Sequence, residues 1–298
     1  MKLAKQATGR PNVIVFQGSF HGRTHLAMAM TTSKTVYRAG HAPLPSGVFV
    51  APFPATEADV PRCLDAVQLL LLSQTAPGET AAMLLEPVLG EGGYVPAPTS
   101  FLRGLEAICR EHGILFIADE VQTGFGRTGT MFCVEQHGIS ADVVVMAKGL
   151  ASGFPISAVG ASAELMERWP TGSHGGTYGG NPMGCAAAIA TIDVLTEPGF
   201  LDEVNARGEQ LRAGLRTLQA DDPGLADVRG PGLMVASELS DPARVPHVLK
   251  HCLDDGHLIL MNAGTFGTVI RWMPPLVVSA AEIDQALESF AKALAATR

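Results

Sequence analysis

Charge is scarce in this chain. Asp, Glu, Lys and Arg make up only 17% of its 298 residues, and no basic run exceeds an isolated pair. With 29 acidic against 21 basic residues the net charge is −8, which offers a polyphosphate backbone no counter-charge and argues against nucleic-acid binding. A cysteine pattern is lacking too. Cys63, Cys109, Cys133, Cys185 and Cys252 are widely scattered with no Cys-x-x-Cys, which excludes a disulfide framework and a zinc site and leaves free, buried thiols of a reducing compartment as the expectation. Long apolar runs are also missing. The longest, around Met183–Leu195, is Ala-rich, carries Asp193 and is too short to span a bilayer. No apolar stretch follows Met1-Lys2 before Pro11, so no export signal is read, and a cytoplasmic protein with no membrane partner is expected. Apolar residues make up 47%, enough for a large core, and the length suits one large α/β domain or a large and a small one.

Short β-branched or apolar runs alternate with helical patterns, which predicts a mostly parallel sheet covered by helices. The expected strands are Val13–Gln17, Val48–Ala51, Met83–Val88, Ile114–Ala118 and Val143–Ala147. Ile156–Gly160 follows its neighbour too closely for a helical crossover and is expected to run antiparallel. Phe101, Leu102, Leu105, Ile108 and Cys109 recur at helix spacing before Gly113, and Ser279 with Glu282 predicts a capping box ahead of Ile283, Leu287, Phe290 and Leu294. Glu197-Pro198-Gly199 breaks the pattern and is the expected boundary between a large domain (1–196) and a C-terminal α+β domain (197–298). In the latter, Val228–Leu239, Leu258–Met261 and Val269–Met273 are the expected strands. Met1–Thr8 reads as a helix that stops at Gly9 yet has no start signal, like the back half of a helix.

In open parallel sheets the ligand crevice lies beyond the carboxyl ends of the strands. Four predicted strands deliver polar groups there: Gly18-Ser19-Phe20-His21-Gly22-Arg23, Leu89-Gly90-Glu91-Gly92-Gly93, Asp119-Glu120 and Lys148-Gly149. A lysine and a carboxylate on two strand ends are what pyridoxal 5'-phosphate (PLP) chemistry requires, one to hold the cofactor as a Schiff base and one to keep its ring nitrogen protonated. Singly, each residue has a plainer reading. Lys148 suits a solvated strand end, Asp119 a turn, Phe20 the core, His21 a satisfied polar neighbour, and Arg23 and Arg271 the surface.

Their combination is another matter. Phe20-His21-Gly22-Arg23-Thr24, Glu86-Pro87-Val88 with Gly90-Glu91-Gly92-Gly93, Ala118-Asp119-Glu120-Val121-Gln122 with Gly124 and Gly126-Arg127-Thr128-Gly129, Ala147-Lys148-Gly149 with Gly153-Phe154-Pro155, and Gly176-Thr177-Tyr178 with Gly180-Asn181-Pro182 follow one another in order. This series, from about residue 1 to the C-terminus, resembles the class III PLP-dependent aminotransferases, and Phe20-His21-Gly22-Arg23-Thr24-His25 most resembles the 4-aminobutyrate type. The resemblance implies the α/β PLP-transferase architecture of fold type I and the transfer of an amino group from an ω-amino acid to a 2-oxo acid such as 2-oxoglutarate. Lys148 matches the Schiff-base lysine that also shuttles the substrate proton, and Asp119 matches the carboxylate on the pyridine nitrogen. Phe20 and Val121 match the residues on the two ring faces, and Gln122 the residue beside the phenolic oxygen. Thr177 matches a threonine that reaches the neighbouring subunit's phosphate, implying a homodimer with shared sites. Arg23 and Arg271 match carboxylate-binding arginines, and Glu91 matches the glutamate that pairs with Arg271 when the substrate lacks an α-carboxylate.

The resemblance departs at the front, where the family's Gly-Ser phosphate turn and preceding strand are expected just before Met1. An N-terminally shortened chain that binds PLP weakly and turns over slowly is therefore expected. Alternatives within the family are acetylornithine or ornithine aminotransferase and, more distantly, a decarboxylase or aminomutase. An inactive fragment that binds only a partner chain is a further alternative. Gly124-Phe125-Gly126-Arg127-Thr128-Gly129 also fits a dinucleotide fingerprint, but Glu120–Thr123 separate it from the strand end and no helix opens at it. No Gly-x-Ser-x-Gly elbow suggests a serine hydrolase.

Overall fold

The computed structural model describes residues 1–298. Along the chain run α1 (Lys2–Thr8), β1 (Asn12–Phe16), α2 (His25–Met30), β2 (Val48–Ala51), α3 (Val60–Ser73), β3 (Thr80–Leu85), β4 (Val88–Leu89), β5 (Val95–Pro96) and α4 (Thr99–His112). Then come β6 (Leu115–Asp119), β7 (Val143–Met146), β8 (Ala158–Ala161), α5 (Ala163–Glu167), α6 (Pro182–Leu195), α7 (Phe200–Asp221), β9 (Leu225–Arg229), β10 (Val235–Leu239), α8 (Arg244–Asp254), β11 (Met261–Ala263), β12 (Val269–Trp272) and α9 (Ala280–Ala296).

Six strands form one sheet in the order β2-β1-β3-β6-β7-β8. All neighbours are parallel except β7 and β8, which pair antiparallel with Val143 opposite Ala161, as the short connection requires. Successive side chains alternate between two faces. Ile14, Phe16, Met83, Leu85 and Phe116 pack with Val67 of α3 and Phe101 and Leu105 of α4, whereas Val13, Val15, Leu84 and Ile117 pack with Ala4 of α1 and Met30 of α2. Covering on both faces explains why β3 is buried at every residue and why it is apolar throughout after Thr80.

The expected Met83–Val88 strand is displaced to Thr80–Leu85. Pro87 lacks the N–H that a central ladder needs, so pairing stops, and Val88–Leu89 pairs separately and antiparallel with β5. That break leaves Glu86 and the Gly90–Gly93 segment beyond the sheet's carboxyl edge.

The helix signals behave as their chemistry requires. Gly113 closes α4 at φ +59°, a left-handed conformation that glycine adopts freely. At α9, Glu282 accepts a hydrogen bond from the Ser279 N–H at 2.8 Å while Ser279 Oγ accepts one from the Glu282 N–H at 3.3 Å.

The C-terminal region forms a second, antiparallel sheet in the order β11-β12-β10-β9, with α7, α8 and α9 against it. Leu211, Val235, Ile270 and Ile283 fill its core beside an edge-to-face pair of Trp272 and Phe290, ring centroids 5.0 Å apart. The expected single strand Val228–Leu239 is two strands, because Gly230 and Gly232 hold positive φ around Pro231 and reverse the chain. The strand expected at Leu258–Met261 begins only at Met261, after His257 at φ +49° delays the extended conformation.

Candidate active site

The carboxyl ends of β1, β3, β6 and β7 bring their following residues together. Asp119 is the last residue of β6, and its Oδ2 lies 2.8 Å from Nδ1 of His21, in the loop after β1. Its Oδ1 accepts the Val121 N–H at 3.1 Å, so both carboxylate oxygens are held in place. His21 and Asp119 side chains are only 1% and 9% exposed, which keeps water from competing for this contact. Glu86, just past β3, is buried and uses one oxygen for the Phe20 N–H at 2.7 Å and the other for the Gly90 N–H at 2.8 Å. It thereby ties the loop carrying Phe20 and His21 to the loop carrying Glu91. Burial first, and then the negative charge of Asp119, push the Glu86 carboxyl up to about 7 against the opposing pull of His21.

Lys148 opens a tight turn after β7 with φ +42°, an unusual backbone state for a side-chain-bearing residue. The residue is open to solvent in the single chain, yet the protein crowded around its amine displaces enough water to pull the ammonium below the ordinary lysine range, opposed by the charges of Glu86, Glu91 and Asp119. A lowered value means that more of the amine is neutral near pH 7, as a nucleophile or proton acceptor requires.

Glu91 Oε1 accepts Arg271 Nη1 at 2.7 Å, and Glu91 Oε2 accepts the Tyr37 hydroxyl at 2.8 Å. Burial raises the Glu91 carboxyl, but these two hydrogen bonds outweigh it and hold the group below the usual carboxylate range. Arg271 lies on β12 and is 10% exposed at its side chain, and Arg23 sets its guanidinium 4.9 Å from the Tyr37 ring centroid and 5.9 Å from that of Phe20. The Glu91–Tyr94 segment is laced to the second sheet. Gly264 N–H donates to Glu91 O at 3.0 Å, and Arg229 donates to Gly93 O at 2.7 Å and Tyr94 O at 3.2 Å.

Phe20, Asp119, Glu91, Arg23, Arg271 and Lys148 are thus brought to one edge, with Val121 and Gln122 directly after Asp119. Thr177 is not joined to them, for it lies exposed in the loop before α6. The donor set suits PLP. A partly desolvated amine sits among carboxylates, a firmly oriented carboxylate is available for a ring nitrogen, and buried Gln122 Oε1, His21 Nε2 and Arg271 Nε have no partner within the chain. Two members were not singled out from sequence. Glu86 had a visible signal, an acidic residue directly before Pro87 in an otherwise apolar stretch. Tyr37, in a short turn far from any strand end, had none. The dinucleotide fingerprint has another use: Gly126 packs against Leu195, Leu201 and Leu276, and Arg127 Nη1 donates to Leu233 O and Pro274 O at 3.0 and 2.7 Å. It is a structural buckle.

Comparison with known proteins agrees with this geometry. A family model described as aminotransferase class-III matches residues 1–294. The chain is 43% identical over 296 residues to the 5-aminovalerate aminotransferase of Pseudomonas putida, covering 96% of this chain and 69% of that protein. It is 38% identical to the 4-aminobutyrate aminotransferase of Escherichia coli, with 97% and 70% covered, and 41% identical to the acetylornithine aminotransferase of Corynebacterium efficiens, with 99% and 68% covered. Among solved structures, a transaminase from a marine Virgibacillus superposes with a TM-score of 0.92 at 26% identity, over 99% of this chain and 71% of that one. An amine transaminase from an uncultivated Pseudomonas species, in its PLP-bound form, gives 0.91 at 26% identity over 100% and 73%.

Proposed function

The chain belongs to the class III aminotransferases, PLP-dependent enzymes, and we propose that it moves the terminal amino group of an ω-amino acid of the 4-aminobutyrate or 5-aminovalerate kind to a 2-oxo acid such as 2-oxoglutarate. The observation that carries this reading is the Glu91–Arg271 pair. An ω-amino acid has one carboxylate, at the end remote from the reacting carbon, whereas glutamate and 2-oxoglutarate have two. A site serving both must satisfy an inner guanidinium in one half-reaction and release it in the other, because a desolvated and unpaired arginine is costly. Glu91 supplies the internal counter-charge, and Arg23 at the exposed rim supplies the outer carboxylate contact.

When bound, PLP supplies the electron sink for the substrate carbon. Lys148 is the residue we assign to hold it, and Lys148 Nζ then takes and returns the proton of the carbon bearing the amino group. Asp119, oriented by His21 and the Val121 N–H, holds the proton on the ring nitrogen. Phe20 and Val121 confine the ring's faces, and Gln122 sits beside its phenolic oxygen. Thr177 is assigned to the partner subunit's phosphate in a homodimer with shared sites, which accords with its exposure in the single chain. We also assign residues 1–196 to the cofactor domain and 197–298 to a small domain that contributes Arg271. No single helix is long and apolar enough to cross a membrane, and we place the enzyme in the cytoplasm.

The test ranks kcat/KM for 4-aminobutyrate, 5-aminovalerate, ornithine and N-acetylornithine with 2-oxoglutarate as acceptor. Either ω-amino monocarboxylate should lead. A lead for N-acetylornithine, the alternative favoured by the C. efficiens relative, would replace this assignment.

A further inference from the structure

Tyr37 touches every part of the carboxylate-recognition apparatus except Arg271 itself. Its hydroxyl donates to Glu91 Oε2 while Arg271 occupies Oε1, so the two partners hold different oxygens of one carboxylate and do not compete. Its ring meets Phe20 edge-on at 4.9 Å and lies beneath the Arg23 guanidinium at 4.9 Å. The half-buried tyrosine is itself well fixed. Arg38 donates to Thr31 O at 3.2 Å on one side of its loop, and Thr265 Oγ1 donates to Ser33 O at 2.9 Å from the second sheet. The phenol remains neutral, since burial and the Glu91 carboxylate both raise its pKa, and so it acts as a donor throughout.

When a dicarboxylate takes Arg271, Glu91 must give up one oxygen contact. Its backbone carbonyl is pinned by Gly264, so the adjustment belongs to the side chain. A carboxylate that is 19% exposed and abandoned by its arginine is poorly solvated unless another donor stays with it. We infer that Tyr37 is a positioning residue for this exchange: its hydroxyl is the pivot that retains Glu91 while Arg271 passes to the substrate, and its ring sets the place of Arg23. The inference rests on the Glu91–Arg271 exchange described above and deepens it, by making tolerance of a second substrate carboxylate depend on a phenolic hydroxyl.

The experiment uses Tyr37→Phe, which keeps the ring and removes only the pivot, in the PLP-loaded enzyme. Calorimetry measures the affinity for glutarate, a five-carbon dicarboxylate with no amino or oxo group, and single-turnover absorbance gives the KM for 4-aminobutyrate. Losing the sole donor to displaced Glu91 should weaken glutarate about tenfold, the size expected for a hydrogen bond to a charged group. The 4-aminobutyrate KM should move several-fold less, because Arg271 still holds Glu91 in that state. In a Glu91→Ala background the glutarate effect of Tyr37→Phe should vanish, which is the double-mutant signature of action through Glu91. Glutarate affinity unchanged or tightened by Tyr37→Phe overturns the pivot, as does a tenfold loss that persists in the Glu91→Ala background. Glu91→Ala alone separates the two levels of the argument. If it affects glutarate and 4-aminobutyrate equally, the exchange itself fails. If it discriminates between them while Tyr37→Phe does nothing, the exchange stands and Tyr37 has no part in it.

Discussion

Replacing Glu86 by glutamine should make the protein's stability less sensitive to pH, in a direction that the burial of this side chain dictates. Glu86 has an ordinary carboxyl value of 4.5 when unfolded and about 7 in the folded protein, where burial and Asp119 disfavour its charge. Between those values the folded chain retains a proton that the unfolded chain has released, so stability falls as pH rises through that window. The window spans about 2.5 pH units, which at 1.36 kcal/mol per unit corresponds to about 3 kcal/mol of stability present near pH 4.5 and lost above pH 7. Glutamine resembles the protonated acid in shape and charge. It keeps one acceptor for the Phe20 or Gly90 N–H but cannot ionise. Near pH 5 the variant should therefore melt close to, or slightly below, the parent. Near pH 8 it should melt higher, because the parent then bears a buried charge. The change in the difference between the two proteins, roughly 2–3 kcal/mol, corresponds to about 5 °C in melting temperature for a chain of this size. The assay is thermal unfolding of both proteins by circular dichroism at pH 5.0 and 8.0, at equal protein and PLP concentrations. A difference in melting temperature that is the same at both pH values would refute the reasoning. It would mean that His21 or Lys148 compensates the Glu86 charge fully.

Three further outcomes are expected. Borohydride reduction of the PLP-loaded enzyme followed by peptide mapping should place the label on Lys148, and label on any other lysine removes its assignment. Glu91→Gln should slow the ω-amine half-reaction by roughly 5–30-fold, the difference between a charged and a neutral acceptor for Arg271, while the glutamate half-reaction changes far less in single-turnover spectra. Gly232→Ala should fail to accumulate as soluble, folded protein. Gly232 has φ +52°, and a Cβ there would collide with the Thr128 carbonyl carbon and lie 2.6 Å from the Gly129 nitrogen, so a normal yield with a parental melting temperature would contradict the packing described.

Legibility from sequence followed the range of the interaction concerned. The α4 and α9 signals are local, a stop glycine and a capping box, and their elements lie where the pattern places them. The antiparallel return of β8 was legible because its connection is too short for any other path. Misreadings occurred where one breaker outweighed composition: Pro87 ending β3, and Gly230-Pro231-Gly232 dividing β9 from β10. At the site, strand-end chemistry pointed to Lys148 and Asp119, and the family resemblance pointed to Glu91 and Arg271. Tyr37 escaped because its importance lies in a contact with a residue 54 positions away, which no local pattern encodes.

The lacing of Glu91–Tyr94 to the second sheet determines which events the charge pair can sense. By sequence the loop follows β3 of the parallel sheet, but its carbonyls are held by Gly264 and Arg229, and Arg271 stands on the neighbouring β12. Both members of the pair are therefore tied to the second sheet. The same loop is moored on the other side too, because Glu86 accepts the Gly90 N–H and Tyr37 donates to Glu91 Oε2. The pair thus sits on the seam between the two sheets, moored to both, and a tilt of one sheet against the other is felt at Glu91.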